Sequence, residues 1–283
     1  MLPPNALTGA RIGISASPSA DLARLGLMEA HFQLALGELA RSVLILGGGL
    51  QYAGHLDPAG YTSFLIGELR RFGRGGVPLT AVLAWPVHRG LSMTELTRAR
   101  ELLGVQGSIV TLDARGAEMD PRSHRGDGPV PTPPEEIASS LTSMRSYAQA
   151  HSSGRFVLGG RRSGYQGSMP GVIEEVILSL QGAQPTYLAG GFGGATLDLV
   201  RALVPGAASW FEPAADQFSD EGTTMGLGVA SEIAAGREWD ALNNGLTADE
   251  NLRLAATHRP SEIAALVSLG LGRLAVAGKL TSI

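Results

Sequence analysis

A chain of 283 residues with 44% hydrophobic and 5% aromatic residues can bury a sizeable core, and this length fits one domain or two small ones. A net charge of −4 leaves no chain-wide basic surface for nucleic acid. The absence of cysteine excludes disulfides, thiolate catalysis and thiolate metal sites. A single lysine, Lys279, excludes Schiff-base and P-loop lysine chemistry for the body of the chain.

Met1–Ala10 lacks the charged and apolar regions of a secretory leader, and no apolar run reaches the ~18–20 residues of a membrane span. A soluble protein of the cytoplasm, with no membrane partner, is expected. From the amino end, Arg11–Ala16 reads as a buried strand that runs into the turn-rich Ser17–Asp21. Glu29–Ala40 has helical spacing, with Phe32, Leu36 and Leu39 on one face. Ser42–Leu46 then reads as a second strand ended by Gly47–Gly49, Thr62–Phe72 as a helix, Leu79–Trp85 as a third strand, Leu91–Leu103 as a helix and Ser108–Leu112 as a fourth strand.

The rhythm breaks at Ala114–Glu135, whose prolines mark a long surface loop, either a lid or a loosely ordered connection. It resumes with a helix at Ile137–Ala150, a strand at Arg155–Leu158, a helix at Val172–Leu180, a strand at Pro185–Ala189 and a helix at Leu197–Leu203. The tail from Gly206 shows only helical stretches, at Glu250–Ala256 and Ser261–Leu269. Alternating apolar strands and helices imply an α/β fold, a doubly wound and mainly parallel sheet with helices on both faces. Residues 1–205 are expected to form this core, and 206–283 a helical extension packed on the same domain.

Strand carboxyl ends then share one edge of the sheet, and glycine gathers there at Gly47–Gly49, Gly159–Gly160 and Gly190–Gly194. In Arg155–Leu180 a strand, a glycine pair, Arg161-Arg162 and Pro170-Gly171 lead into a helix. The open N–H groups and dipole of that helix favour an anion, and two arginines can clamp it bidentately, unless they are simply solvated surface arginines. Glu174 and Glu175 follow. One carboxylate can accept from ribose hydroxyls or act in N-glycosidic cleavage, but adjacent helical positions point about 100° apart. Of the two, Glu174 is the slightly better candidate.

No HExxH, GxSxG or Walker A pattern occurs, so no metal site is expected. His55 and Asp57 lie beside the second glycine run, most simply in a solvated loop. A nicotinamide-dependent oxidoreductase would need GxGxxG after the first strand, where the chain has Ser15-Ala16-Ser17-Pro18.

Together GISAS at 13–17, GGGLQYAGHLDPAGYT at 47–62, GGRRSGYQGSMPGVIEE at 159–175 and YLAGGFGGAT at 187–196 resemble the SLOG superfamily, with NNGLTADENLRL at 243–254 similar as well. This Rossmann-like group includes the Lonely Guy cytokinin-activating enzymes and the DNA-processing protein family. The likeness is strongest to the prokaryotic SLOG clusters of defence systems, among them the ligand-sensing domains of Thoeris NAD-consuming effectors. The resemblance implies binding of ADP-ribose or a cyclic ADP-ribose-like nucleotide, with no required cofactor. It also implies a homo-oligomer and a separate effector protein or domain, in a bacterial defence or stress pathway.

By motif match the ligand-binding candidates are Ser15, Gly48, Gly54, Arg161, Gly167, Gly171, Glu174 and Gly191, joined from the same stretches by Ser17, Gly47, Gly164, Pro170, Phe192 and Gly193. Glu174 and Glu175 are the catalytic candidates if the chain is an N-glycosidase or phosphoribohydrolase. Two departures favour binding over catalysis. The PGGxGTxxE of the Lonely Guy enzymes is Pro170-Gly171-Val172-Ile173-Glu174-Glu175 here, and Ser168-Met169 stand where some sensing relatives carry a lysine.

Overall fold

The computed structural model describes residues 3, 5–56, 60–72, 78–212 and 220–283. Six parallel strands, β1 (Arg11–Ser17), β2 (Gly49–Ala53), β3 (Leu79–Leu83), β4 (Gly107–Thr111), β5 (Gly154–Gly159) and β6 (Thr186–Ala189), stand in the order β4-β3-β2-β1-β5-β6. Strands that are apolar at every position need cover on both faces, and β3 is buried along its whole length. On one face α1 (Glu29–Ile45), α2 (Tyr61–Phe72) and α10 (Pro260–Val276) bring Phe32, Leu36, Leu65 and Ile263 against Ile12, Ile14 and Leu50. On the other, α5 (Pro134–Ala150), α6 (Gly171–Gln181), α7 (Gly194–Leu203) and α8 (Glu221–Ala234) cover Val82, Val157 and Leu188. The fold is the doubly wound α/β sheet with a helical tail that the alternating pattern predicts. In that tail, α8 packs on α6, α9 (Ala248–Ala256) lies beside β6, and α10 runs along α1. No helix among the described residues is long and apolar enough to cross a membrane.

One expected strand is wrong. Ser42–Ile45 is the last turn of α1, because Val43 and Leu44 continue the buried stripe of Phe32, Leu36, Leu39 and Ala40 at helical spacing. A helix buried this deeply reads as apolar as a strand over five residues. Gly47 and Gly48 end the helix: the Gly47 N–H donates to the Leu44 carbonyl at 3.1 Å and the Gly48 N–H to that of Val43 at 3.0 Å, with Gly47 at φ 82°. This is a Schellman closure, which requires the left-handed backbone that glycine adopts freely. The true second strand is Gly49–Ala53, so the glycines precede it.

The α8 helix has no counterpart in the sequence expectation. Its glycines lower helix propensity but allow close approach: a Cβ on Gly226 would meet Ile173 Cγ2 at 2.8 Å.

The proline-rich stretch after β4 folds back as an ordered strap. The Met119 N–H donates to the Thr111 carbonyl, that of Val130 to Arg89 and that of Met93 to Asp127. Arg125 donates to the carbonyls of His88 (2.7 Å), Arg89 (3.1 Å) and Gly128 (3.0 Å), closing the end of α3 (Trp85–Arg89), which precedes α4 (Met93–Leu103). Beneath it His88 is fully buried. Its Nε2 lies 2.8 Å from the Leu112 carbonyl, which can only accept, so Nε2 carries the proton. Its Nδ1 has no partner among the described residues. Burial, followed by the nearby charges of Arg125 and Arg89, holds the imidazole below its ordinary value.

A buried histidine with a depressed folded-state value costs stability when it must be protonated. Stability from His88 is complete above the unfolded histidine value of about 6.5 and falls as pH drops through it toward the folded value. Urea denaturation between about pH 7 and about pH 5 is expected to show this decline. His88→Gln, which keeps a donor for Leu112, is expected to flatten it. An identical slope in the variant would show that His88 is not its source.

Candidate functional site

The sheet winds outward in both directions from β1, to β2 on one side and β5 on the other, so the loops after β1 and β5 part. Open α/β sheets bind ligands in such a crevice. Here the ends of β1 and β2, the flank of α5 and the start of α6 enclose a cleft of about 190 Å³. Ser15 and Ser17 come from β1, Tyr52, Gly54 and His55 from the end of β2, and Arg161, Pro170, Gly171 and Glu175 from β5 to α6.

Pro170 opens α6 without a side-chain cap, leaving the first N–H groups of the helix open beside the cleft. Gly171 lies close against the Arg145 guanidinium, where a Cβ would meet Nη2 at 2.7 Å. Gly167 backs the same guanidinium, with a virtual Cβ 3.0 Å from Nη1. Arg145, on α5, forms an ion pair with Glu174, and Thr142 donates to the other Glu174 oxygen at 2.5 Å. Glu174 therefore faces α5, its carboxylate consumed by the fold.

Its neighbour turns the other way, as the helical rotation demands. Glu175 is 6% exposed and lines the cleft. Its ion pair is with Arg155 Nη1 at 3.5 Å, beyond hydrogen-bond reach. Arg155 is fully buried on β5 and donates to Ser15 Oγ (2.8 Å) and Ser179 Oγ (2.9 Å). Burial, then the charge of Glu175, pushes the Tyr52 hydroxyl up to about 12, so it stays protonated as a donor in the cleft wall.

The two adjacent arginines also part. Arg161 is exposed, lines the cleft and makes no ion pair among the described residues. Arg162 is buried between carboxylates: Nη1 lies 2.7 Å from Asp21, while Nε and Nη2 grip Asp198 bidentately at 2.5 and 3.0 Å. A clamp made from both arginines is thus not what the fold provides.

Of the three glycine loops, the structure brings only part to this cleft. Gly47 and Gly48 lie at the amino edge, beside the start of β1, because they close α1 instead of ending a strand. Gly191, Phe192 and Gly193 form a buried turn after β6 whose space the chain itself fills. A Cβ on Gly193 would lie 2.5 Å from that of Asp21, and the Asp21 carboxylate accepts from the Gly194 N–H at 2.8 Å. The amino end of α7 is thus capped internally. Gly164 sits in the loop after β5 with φ 68°, outside the cleft lining, and Asp57 lies outside the described residues.

Sequence reasoning overlooked Tyr52, Arg145, Arg155 and Tyr165. Arg145 shares helical spacing with the buried Leu141, Met144 and Ala148, which is a readable signal. For Arg155 there was none, since its partners are remote in the chain.

The architecture and the cleft together define a doubly wound α/β protein with a crevice at its topological switch point. The chain belongs to the SLOG cluster2 family, whose profile matches residues 6–254. No curated protein and no solved structure matches it. Family membership supports a nucleotide-related binding or processing role.

The arginine pair makes a test of these placements. Arg162→Met strands two buried carboxylates and is expected to lower the unfolding free energy by about 3–5 kcal/mol. Arg161→Ala should change it by less than about 0.5 kcal/mol. Urea titration measures both, and comparable losses in the two variants would refute the division of roles.

Proposed function

We propose that the cleft binds a nucleotide-derived ligand, ADP-ribose, a cyclic ADP-ribose-like molecule or a related nucleotide, and that the protein senses it. The observation that carries this reading is that the uncapped start of α6, the exposed Arg161, which makes no ion pair among the described residues, and the buried Glu175 border one cleft. A helix amino end and a guanidinium suit phosphate, and a carboxylate suits sugar hydroxyls. Ligand capture would pass to an effector through rearrangement of a homo-oligomer or through a separate protein or domain, in bacterial defence or stress.

Calorimetry against ADP-ribose, cyclic ADP-ribose isomers, NAD and AMP tests the proposal. Arg161→Ala is expected to weaken binding of the preferred ligand about 10- to 100-fold, the worth of a charge-assisted hydrogen bond, with little change in fold stability. Absence of binding by all four sinks it.

A second reading, hydrolysis of an N-glycosidic bond in a nucleotide or NAD, is favoured by one observation: Glu175 is a buried carboxylate at the cleft that accepts no hydrogen bond among the described residues. It could then activate water. Free base released by the protein and not by Glu175→Gln would establish it, whereas ligand bound and recovered intact would leave the sensing role alone.

A further inference from the structure

Arg155 is a buried cation whose donors are incompletely matched. It is 1% exposed, and a guanidinium taken out of water is expensive unless every donor is matched. Yet its Nη2 has no partner among the described residues, and its ion pair with Glu175 is as long as 3.5 Å. A buried group left partly unsatisfied calls for an explanation, and the other contacts of the guanidinium supply one.

Arginine has donors only. Where Arg155 Nη1 meets Ser15 Oγ at 2.8 Å, the serine oxygen must accept, so the Ser15 hydroxyl proton is directed elsewhere. No protein acceptor takes it among the described residues, and Ser15 lines the cleft. The same nitrogen faces the Glu175 carboxylate at 3.5 Å, and that carboxylate accepts no hydrogen bond among the described residues. One buried cation therefore sets side by side a hydroxyl that must donate and a carboxylate that can only accept.

We infer that Arg155 is a positioning residue that makes Ser15 and Glu175 a reader of a vicinal diol, so that the cleft selects ribose over deoxyribose. The inference rests on the nucleotide reading proposed above. Each hydroxyl of a diol both donates and accepts, so one diol satisfies the pair. Spacing agrees. Glu175 follows Gly171 by four residues on the same helix face, which places it about 6 Å along the axis from the open N–H groups. A phosphate at that end and a diol at Glu175 match the two ends of a ribose 5-phosphate unit.

A nucleobase edge offers a similar donor and acceptor, and the test separates the two. Binding of AMP, 2′-deoxy-AMP and IMP is measured by calorimetry for the wild type, Arg155→Met, Arg155→Lys, Ser15→Ala and Glu175→Gln, with thermal unfolding to confirm folding. The wild type is expected to prefer AMP over 2′-deoxy-AMP by about tenfold or more. Arg155→Met should abolish that preference by weakening AMP alone, and Arg155→Lys should restore part of it. If Arg155→Met does not fold, Ser15→Ala and Glu175→Gln carry the same expectation.

Equal binding of ribo and deoxy forms by the wild type overturns this inference while leaving nucleotide binding in place. Failure to bind any of the nucleotides, ADP-ribose included, overturns both. Preference retained in a folded Arg155→Met variant removes Arg155 from the role. If Glu175→Gln erases discrimination between AMP and IMP but leaves the ribose preference, the edge being read is the base and the diol inference falls.

Discussion

Arg162 is held between Asp21 and Asp198 under the loops that follow β1 and β5, and this charge cluster decides which helix end stays open. Asp21 arrives from the loop after β1 and caps α7, so the glycine-rich turn after β6 is filled by the protein's own carboxylate. Because Arg162 must point inward to meet both acids, its neighbour Arg161 is turned out to the cleft. What remains open is the start of α6, where Pro170 and Gly171 offer neither a side-chain cap nor a Cβ in the way of Arg145.

The outline of the sheet was legible because most of its strands are short apolar runs between helical stretches, and all such runs but one sit where strands form. The exception, Ser42–Leu46, shows the limit: a buried helix face and a buried strand have the same composition over five residues, and only the longer stripe from Phe32 to Leu44 separates them. Misplacing that strand moved Gly47 and Gly48 to the wrong edge. The glycine clusters were a good guide to close approach but a poor guide to what approaches. At Gly193 it is Asp21, and at Gly171 it is Arg145. Ion pairs between residues distant in sequence, such as Arg155 with Glu175 on a neighbouring helix, leave no local pattern. The choice between Glu174 and Glu175 was equally hidden, since it depends on which side α5 lies.

The electrostatics of the cleft follow from which charges the fold consumes and which it leaves. Arg145 with Glu174, and Arg162 with its two acids, are closed accounts of charge within the structure. Among the described residues Arg161 makes no ion pair, and Glu175 has only its long contact with Arg155. Glu174 and Glu175 lie a few positions into α6, with Glu175 on the same face as the open helix end.

The contacts of α8 have a mechanical consequence. Tyr165 donates to Asp220, the residue that caps α8, and Thr223 donates to the Arg162 carbonyl at 2.6 Å. The loop bearing Arg161 is thus moored at two points to one helix of the tail. Half-exposed Met225 sits on that helix. The backbone beside Arg161 is therefore tied to α8, which itself packs on α6, so the tail helps to fix the wall of the cleft.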